Sequence, residues 1–329
     1  MRIVYLHCAE EVERQIDSAT IKEKTLYTAD KYLVDRLESN NHEVKLVEYS
    51  ENFAEEIKKI NPDYIFNGAD ALEGGEAYDK LFTELESLDI PFSGCNKEIV
   101  NLFTDKVKAK EFFKKCGAIL PECRLITDVE QKIDLEFPLI IKPVDTDASE
   151  GIDEDSVVYS EEALRKKLAE VLPKFHKVFV DKYINGREFC VPVLFSYGKA
   201  EILPILEIDF TEHFEDKPKI LSYKAKWSRN TNAFKNTYSI VKQIEPEIEA
   251  KIKETALKVF SKINSSGYAT MDIRFDNEAY VLEVNPNPYL AVECDFIKSA
   301  KSIGLSSNEL MDKIVNLTNP ETIKIKEKN

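Results

Sequence analysis

The chain has 329 residues, 43% of them hydrophobic and 32% charged, and a formal net charge of -15. That is enough apolar material for two or three domains with real cores, while the excess acid disfavours nucleic acid or an anionic membrane as a partner, because their phosphates would be repelled. Six cysteines (Cys8, Cys95, Cys116, Cys123, Cys190, Cys294) form no CxxC pair and no His/Cys cluster, which argues against zinc or iron-sulfur sites and suits reduced thiols in a cytoplasm.

No apolar run reaches membrane-spanning length, and Met1-Arg2 leads directly into a strand-like IVYL, so neither a span nor a leader is expected. Residues 1–95 alternate strands and helices: Ile3 to Leu6 is a strand, Tyr27 to Ser39 a helix, Val44 to Tyr49 a strand, Phe53 to Ile60 a helix, Tyr64 to Phe66 a strand and Glu76 to Leu88 a helix. This predicts a small α/β layer. Ligands bind at the carboxyl ends of such strands, so Glu10, Glu11, Glu73 and Glu76 are candidates for a substrate ammonium group, the alternative being ordinary acidic solvent loops.

Thr104-Asp105-Lys106 opens or continues a helix running to Lys115 and closed by Gly117. Phe137 to Pro143 reads as a buried strand with Lys142 near its end, a costly arrangement unless an anion neutralises the lysine. The small-residue loop Val144 to Ile152 follows, its amides suited to covering phosphates. Val178 to Val180 and Phe189 to Phe195 are strands, and Asn185-Gly186 between them is a turn signal that by itself reads as an ordinary hairpin. Ile202 to Ile208 is strand-like, Tyr223 to Trp227 is a basic-aromatic patch suited to a phosphate, and Pro246 to Asn264 is an amphipathic helix.

The most informative stretch is Gly267 to Leu290. Two apolar-rich runs flank Asp276-Asn277-Glu278, the pattern of a hairpin. A two-residue turn at Asn277-Glu278, or a four-residue one over Asp276 to Ala279, sets 272 against 283 and 270 against 285. Thr270, Asp272, Arg274, Glu283 and Asn285 then share one face, and Met271, Ile273, Leu282 and Val284 point into the core. Facing carboxylates require a compensating cation, and an Asp, a Glu and an Asn carbonyl suit magnesium or manganese bound together with substrate phosphates.

TDKVKAK, LIIKP with its small-residue loop, VFVDKYINGREF, MDIRF and VLEVNPNP occur in the order that resembles the ATP-grasp ligases, specifically the D-alanine–D-alanine ligase branch, over nearly the whole chain. The resemblance implies an α/β and α+β protein: an N-terminal α/β domain (1–95), a central subdomain (96–176), a C-terminal subdomain with the metal site (177–320) and a polar tail (321–329). The two subdomains would sandwich ATP.

By resemblance, Lys106 and Lys142 match phosphate-binding lysines and Ser149 a loop serine. Asp181 and Lys182 match the adenine-edge and adjacent positions, Ile184 the backbone contact, Glu188 the ribose acid and Lys226 the lysine that reaches the terminal phosphate. Asp272, Glu283 and Asn285 match magnesium ligands. The acceptor half departs from the family. Ala148 replaces a serine, Trp227 a tyrosine, Thr270 an arginine, and ALEGGE stands where the family has HGxxGED.

Arg274, on the same face, is therefore the candidate for an oxyanion, with the Asp147 loop as a lid. The implied activity is amide formation between a small carboxylate and an amine through an acylphosphate, in a cytoplasmic dimer. The alternatives are a genuine D-alanine–D-alanine ligase and a nucleotide-binding protein without ligase activity.

Overall fold

The computed structural model describes residues 1–8, 29–69, 75–146, 149–228 and 230–318. The first segment is β1 (Arg2–His7), α1 (Ala29–Ser39), β2 (Glu43–Glu48), α2 (Phe53–Ile60), β3 (Tyr64–Asn67), α3 (Gly75–Ser87) and α4 (Lys97–Thr104). Its strands form a parallel sheet in the order β2-β1-β3. The elements expected from hydrophobic periodicity are present, and α4 is an addition. Asn96 caps α4 through Ile99 N, and Ile99, Val100 and Phe103 are buried beneath it.

The second segment is α5 (Lys106–Lys115), β4 (Cys123–Ile126), β5 (Leu139–Pro143), β6 (Val157–Val158), α6 (Glu161–Phe175) and β7 (Val178–Lys182). Its antiparallel sheet runs β4-β7-β5-β6, and Ile126, Leu139, Ile141, Leu164, Leu168, Val178 and Val180 give it a separate core.

The third segment is β8 (Arg187–Ser196), β9 (Lys199–Ile202), β10 (Leu206–Phe210), α7 (Tyr223–Trp227), α8 (Asn232–Lys235), β11 (Thr237–Val241), α9 (Pro246–Phe260), β12 (Ser266–Asp276), β13 (Glu278–Pro286), α10 (Asp295–Ser302) and α11 (Ser307–Thr318). The sheet order is β11-β10-β8-β12-β13, with β9 also paired to β8. Ile202 to Ile208 is two strands and not one, because Pro204 has no amide to continue the ladder. Leu6, Ile65, Phe82 and Ile99 pack in one cluster with Phe189, Val191, Met271, Ile273 and Val281, so the first sheet and this one share a core.

Asn185-Gly186 is not a hairpin turn. β7 belongs to the four-stranded sheet and β8 to the six-stranded one, so the chain crosses between sheets at Tyr183 to Gly186, beyond β7 and not ahead of it. Glycine is required here by proximity, since a Cβ at 186 would stand 2.0 Å from the Phe275 carbonyl oxygen. Among the described residues, no helix is long and apolar enough to cross a membrane.

Candidate active site

β12 and β13 pair with Asp272 opposite Glu283 and Thr270 opposite Asn285, the expected register reached by a different route. At the tip, Asp276 pairs with Glu278 and Asn277 adopts a left-handed φ of 62°, one residue tighter than the expected turn. An irregularity between Asp272 and Ile273 restores the count: Ile273 pairs with Val281, and Leu282 is left over. Leu282 was expected in the core. It lines the cleft, while Val281 takes the buried place.

The cleft between the two antiparallel sheets is lined by Asp272, Glu283, Asn285, Glu188, Lys226, Lys106 and Lys142, with Ile140, Ile184 and Leu282 supplying apolar wall. Asn285 Nδ2 donates to Asp272 Oδ2 at 3.3 Å. Burial, and then the facing Glu283, push the Asp272 carboxyl well above the usual carboxylate range. Burial opposes ionisation of Glu283 too, but Lys226, Lys106 and Lys142 outweigh it and hold Glu283 below the usual range. Lys226 is likewise penalised by burial, yet Glu283, Asp272 and Glu188 hold its ammonium above the ordinary lysine range.

Asp272 and Glu283 thus oppose each other under three lysines, with the charge of Asp272 suppressed. Among the described residues no group of three or more His, Cys, Asp or Glu is placed to hold a metal. The donor set is two carboxylates and an amide, which fits a hard cation completed by phosphate oxygens and fits zinc poorly.

Asp105 caps α5 by accepting from the amides of Val107 and Lys108, both at 3.0 Å, and so fixes Lys106 in the first turn. Lys106 Nζ donates to the Pro143 carbonyl at 3.0 Å and to that of Thr146, so it reaches across to the loop after β5. Lys142 Nζ lies 3.5 Å from Asp181 Oδ2. Lys110, missed in the sequence, lies 3.1 Å from the same oxygen and 4.9 Å from the Phe179 ring centre. Its signal was its spacing of four from Lys106, which puts both on one helical face. A lysine in an amphipathic helix ordinarily reads as solvated.

Asp181, Lys182 and Ser149 all line the cleft and also make contacts within the protein. Asp181 was matched to the adenine edge, but its buried carboxylate is engaged by Lys110 and Lys142. Lys182 turns its side chain away from them, donating at 3.0 Å to the carbonyls of Glu136 and Phe137. Ser149, with φ 65°, donates from Oγ to the Leu221 carbonyl at 2.8 Å and docks the small-residue loop on the segment leading into α7.

Arg274 is not placed as an oxyanion donor. Its guanidinium is spent on Glu188 Oε2 at 2.7 Å, on the Gly186 carbonyl at 2.9 Å and on the Lys219 carbonyl. Asp147, Ala148, Glu10, Glu11 and Glu73, with the tail beyond residue 318, lie outside the described residues.

A family model described as "D-ala D-ala ligase C-terminus" matches residues 110–316. A D-alanine–D-alanine ligase of Thermotoga petrophila is 30% identical over 281 residues, covering 85% of this chain and 88% of that one. The structure of the Bacillus anthracis D-alanine–D-alanine ligase complexed with ATP superposes with a TM-score of 0.72 at 24% identity, covering 100% of this chain and 99% of that one. The VanG D-Ala:D-Ser ligase of Enterococcus faecalis superposes with a TM-score of 0.71 at 19% identity, covering 96% and 99%. The chain therefore has the ATP-grasp fold and belongs to the D-alanine–D-alanine ligase family of ATP-dependent, carbon-nitrogen bond-forming enzymes.

Proposed function

We propose that this ligase activates a small carboxylate with ATP and joins the resulting acylphosphate to an amine, with an amino acid or small peptide as substrate. The supporting observation is the apposition of Asp272 and Glu283 beneath Lys226, Lys106 and Lys142. A substrate carboxylate oxygen attacks the γ-phosphorus and ADP leaves. The amine then attacks the acyl carbon, loses a proton and expels phosphate.

Such a transfer demands charge neutralisation and alignment more than covalent help from the protein. Lys106 and Lys142 take phosphate oxygens, with Lys142 exchanging Asp181 for the nucleotide. Lys226 lies where charge accumulates on the transferred group. Ser149 keeps its loop against Leu221, so water is kept from the acylphosphate. Asp272, Glu283 and the Asn285 side-chain oxygen would hold magnesium or manganese, which would further neutralise the phosphates.

ATP as the nucleotide is supported by the ligand named with the B. anthracis relative. The names of the relatives favour D-alanine as one substrate. The altered acceptor positions Ala148, Trp227 and Thr270 favour a different pairing. A dimer and a cytoplasmic setting belong to the same reading by family resemblance.

The test is a phosphate-release screen over pairs of amino acids, with mass spectrometry of the product. Asp272→Asn and Glu283→Gln should each abolish ADP formation while leaving the circular dichroism spectrum unchanged. Normal turnover in either variant overturns the metal assignment.

A further inference from the structure

Arg274 is 4% exposed on β12, directly opposite Glu188 on β8. Its guanidinium reaches three partners from three places in the chain: the Glu188 carboxylate, the Gly186 carbonyl at the crossing between sheets, and the Lys219 carbonyl in the segment before α7. The same group lies 5.5 Å from the centre of the Tyr183 ring, and Tyr183 Oη also donates to the Lys219 carbonyl at 3.4 Å. Glu188 itself is 6% exposed and lines the cleft. Burying a carboxylate to this degree is costly without a charged partner, and Arg274 supplies one. A planar guanidinium anchored on the Gly186 and Lys219 carbonyls is held in one orientation, with its charge 2.7 Å from a single Glu188 oxygen.

We infer that Arg274 is a positioning residue that sets the selectivity of the cleft for a ribonucleotide, an inference that rests on Glu188 being the acid that receives the sugar hydroxyls. With Oε2 held by Arg274, the remaining lone pairs of Glu188 are presented at a fixed angle to a vicinal diol. Arg274 also joins that contact to the Lys219 carbonyl, a few residues ahead of Lys226. Sugar recognition is thus tied to the placement of the segment that carries Lys226. A lysine at 274 would keep the charge and lose the fork, since an ammonium cannot serve a carboxylate and two divergent carbonyls in one plane.

The test is calorimetric binding of ADP and 2′-deoxy-ADP, which needs no carboxylate substrate. The wild-type protein should prefer ADP by about tenfold or more, the size of one hydrogen bond to a charged group. Arg274→Lys and Arg274→Met should bring that ratio to roughly one, mainly through weaker ADP binding. A purely structural role would weaken both ligands equally and preserve the ratio. Glu188→Gln separates the two assumptions. If it leaves the preference intact, the sugar assignment of Glu188 fails. If it removes the preference while both Arg274 variants keep the wild-type ratio, the positioning role is overturned and the sugar assignment stands. Should Arg274→Met not fold, Arg274→Lys decides alone.

Discussion

The side-chain oxygen of Asn287 accepts a hydrogen bond from the backbone amide of Cys95 at 2.6 Å. This fastens the segment just past the putting-together of β12 and β13 to the end of the first α/β layer. Asn287 adopts φ 51°, a left-handed conformation that asparagine tolerates better than most residues. Asn287→Ala leaves the Cys95 amide without its acceptor, and the expected loss is about 1–3 kcal/mol in urea denaturation. Gly94→Ala should be at least as harmful, because its Cβ would lie 2.4 Å from Asn287 Oδ1 at a φ of +89°.

In the proposed metal site, the facing carboxylates Asp272 and Glu283 oppose stability until a cation is bound between them. In chelator, Asp272→Asn should melt no lower than the wild-type protein, since the amide mimics the uncharged carboxyl that burial and Glu283 already favour. Addition of magnesium with ATP should raise the melting temperature of the wild type and leave that of the variant nearly unchanged. A variant that loses stability in chelator yet responds fully to magnesium with ATP contradicts the assignment.

Asp181 is the counter-charge for two lysines. Asp181→Asn leaves Lys110 and Lys142 facing each other with no anion between them, and removing one partner from a buried ionic group costs about 3–5 kcal/mol. The lysines are partly exposed, so the lower end is expected. ATP should restore part of the loss by supplying phosphate charge at Lys142. Denaturant midpoints measured with and without ATP check both statements.

Glu207 gives the fold a pH dependence away from the cleft. Burial alone would raise its carboxyl, but the Arg187 fork, at 2.9 and 2.7 Å, and Lys242 at 3.1 Å hold it below its ordinary value of 4.5. A depressed carboxylate contributes stability above its unfolded pKa and loses it as pH falls through the folded value. The stability gap between wild type and Glu207→Gln should therefore be full at pH 7 and close on acidification below about 4. A constant gap across that range shows that the ion pairs contribute nothing.

The first α/β layer was legible because its helices and strands carry clean periodicities, as in Phe53–Ile60, whose bounds match the expected ones. The carboxylate pair was legible because side chains alternate along a strand, so a hairpin centred near Asn277 brings Asp272 and Glu283 to the same face. What was not legible came from distance in sequence. Arg274 shares a strand face with Asp272, yet its partners Gly186 and Lys219 lie 88 and 55 residues away, and no local pattern announces them. Asn185-Gly186 misled for a similar reason, since the glycine answers to the Phe275 carbonyl and not to a turn. The helices α6 and α10 carry no motif, and nothing local in their sequences marks them.

The bulge at Leu282 has a consequence for redesign. The tip of the β12–β13 hairpin is one residue short and the bulge returns that residue, so the parity of the two strands is set by both features together. Altering the tip by a single residue while keeping the bulge would present Leu282 or Val284 where Glu283 now stands. Loop grafts there should change length by even numbers.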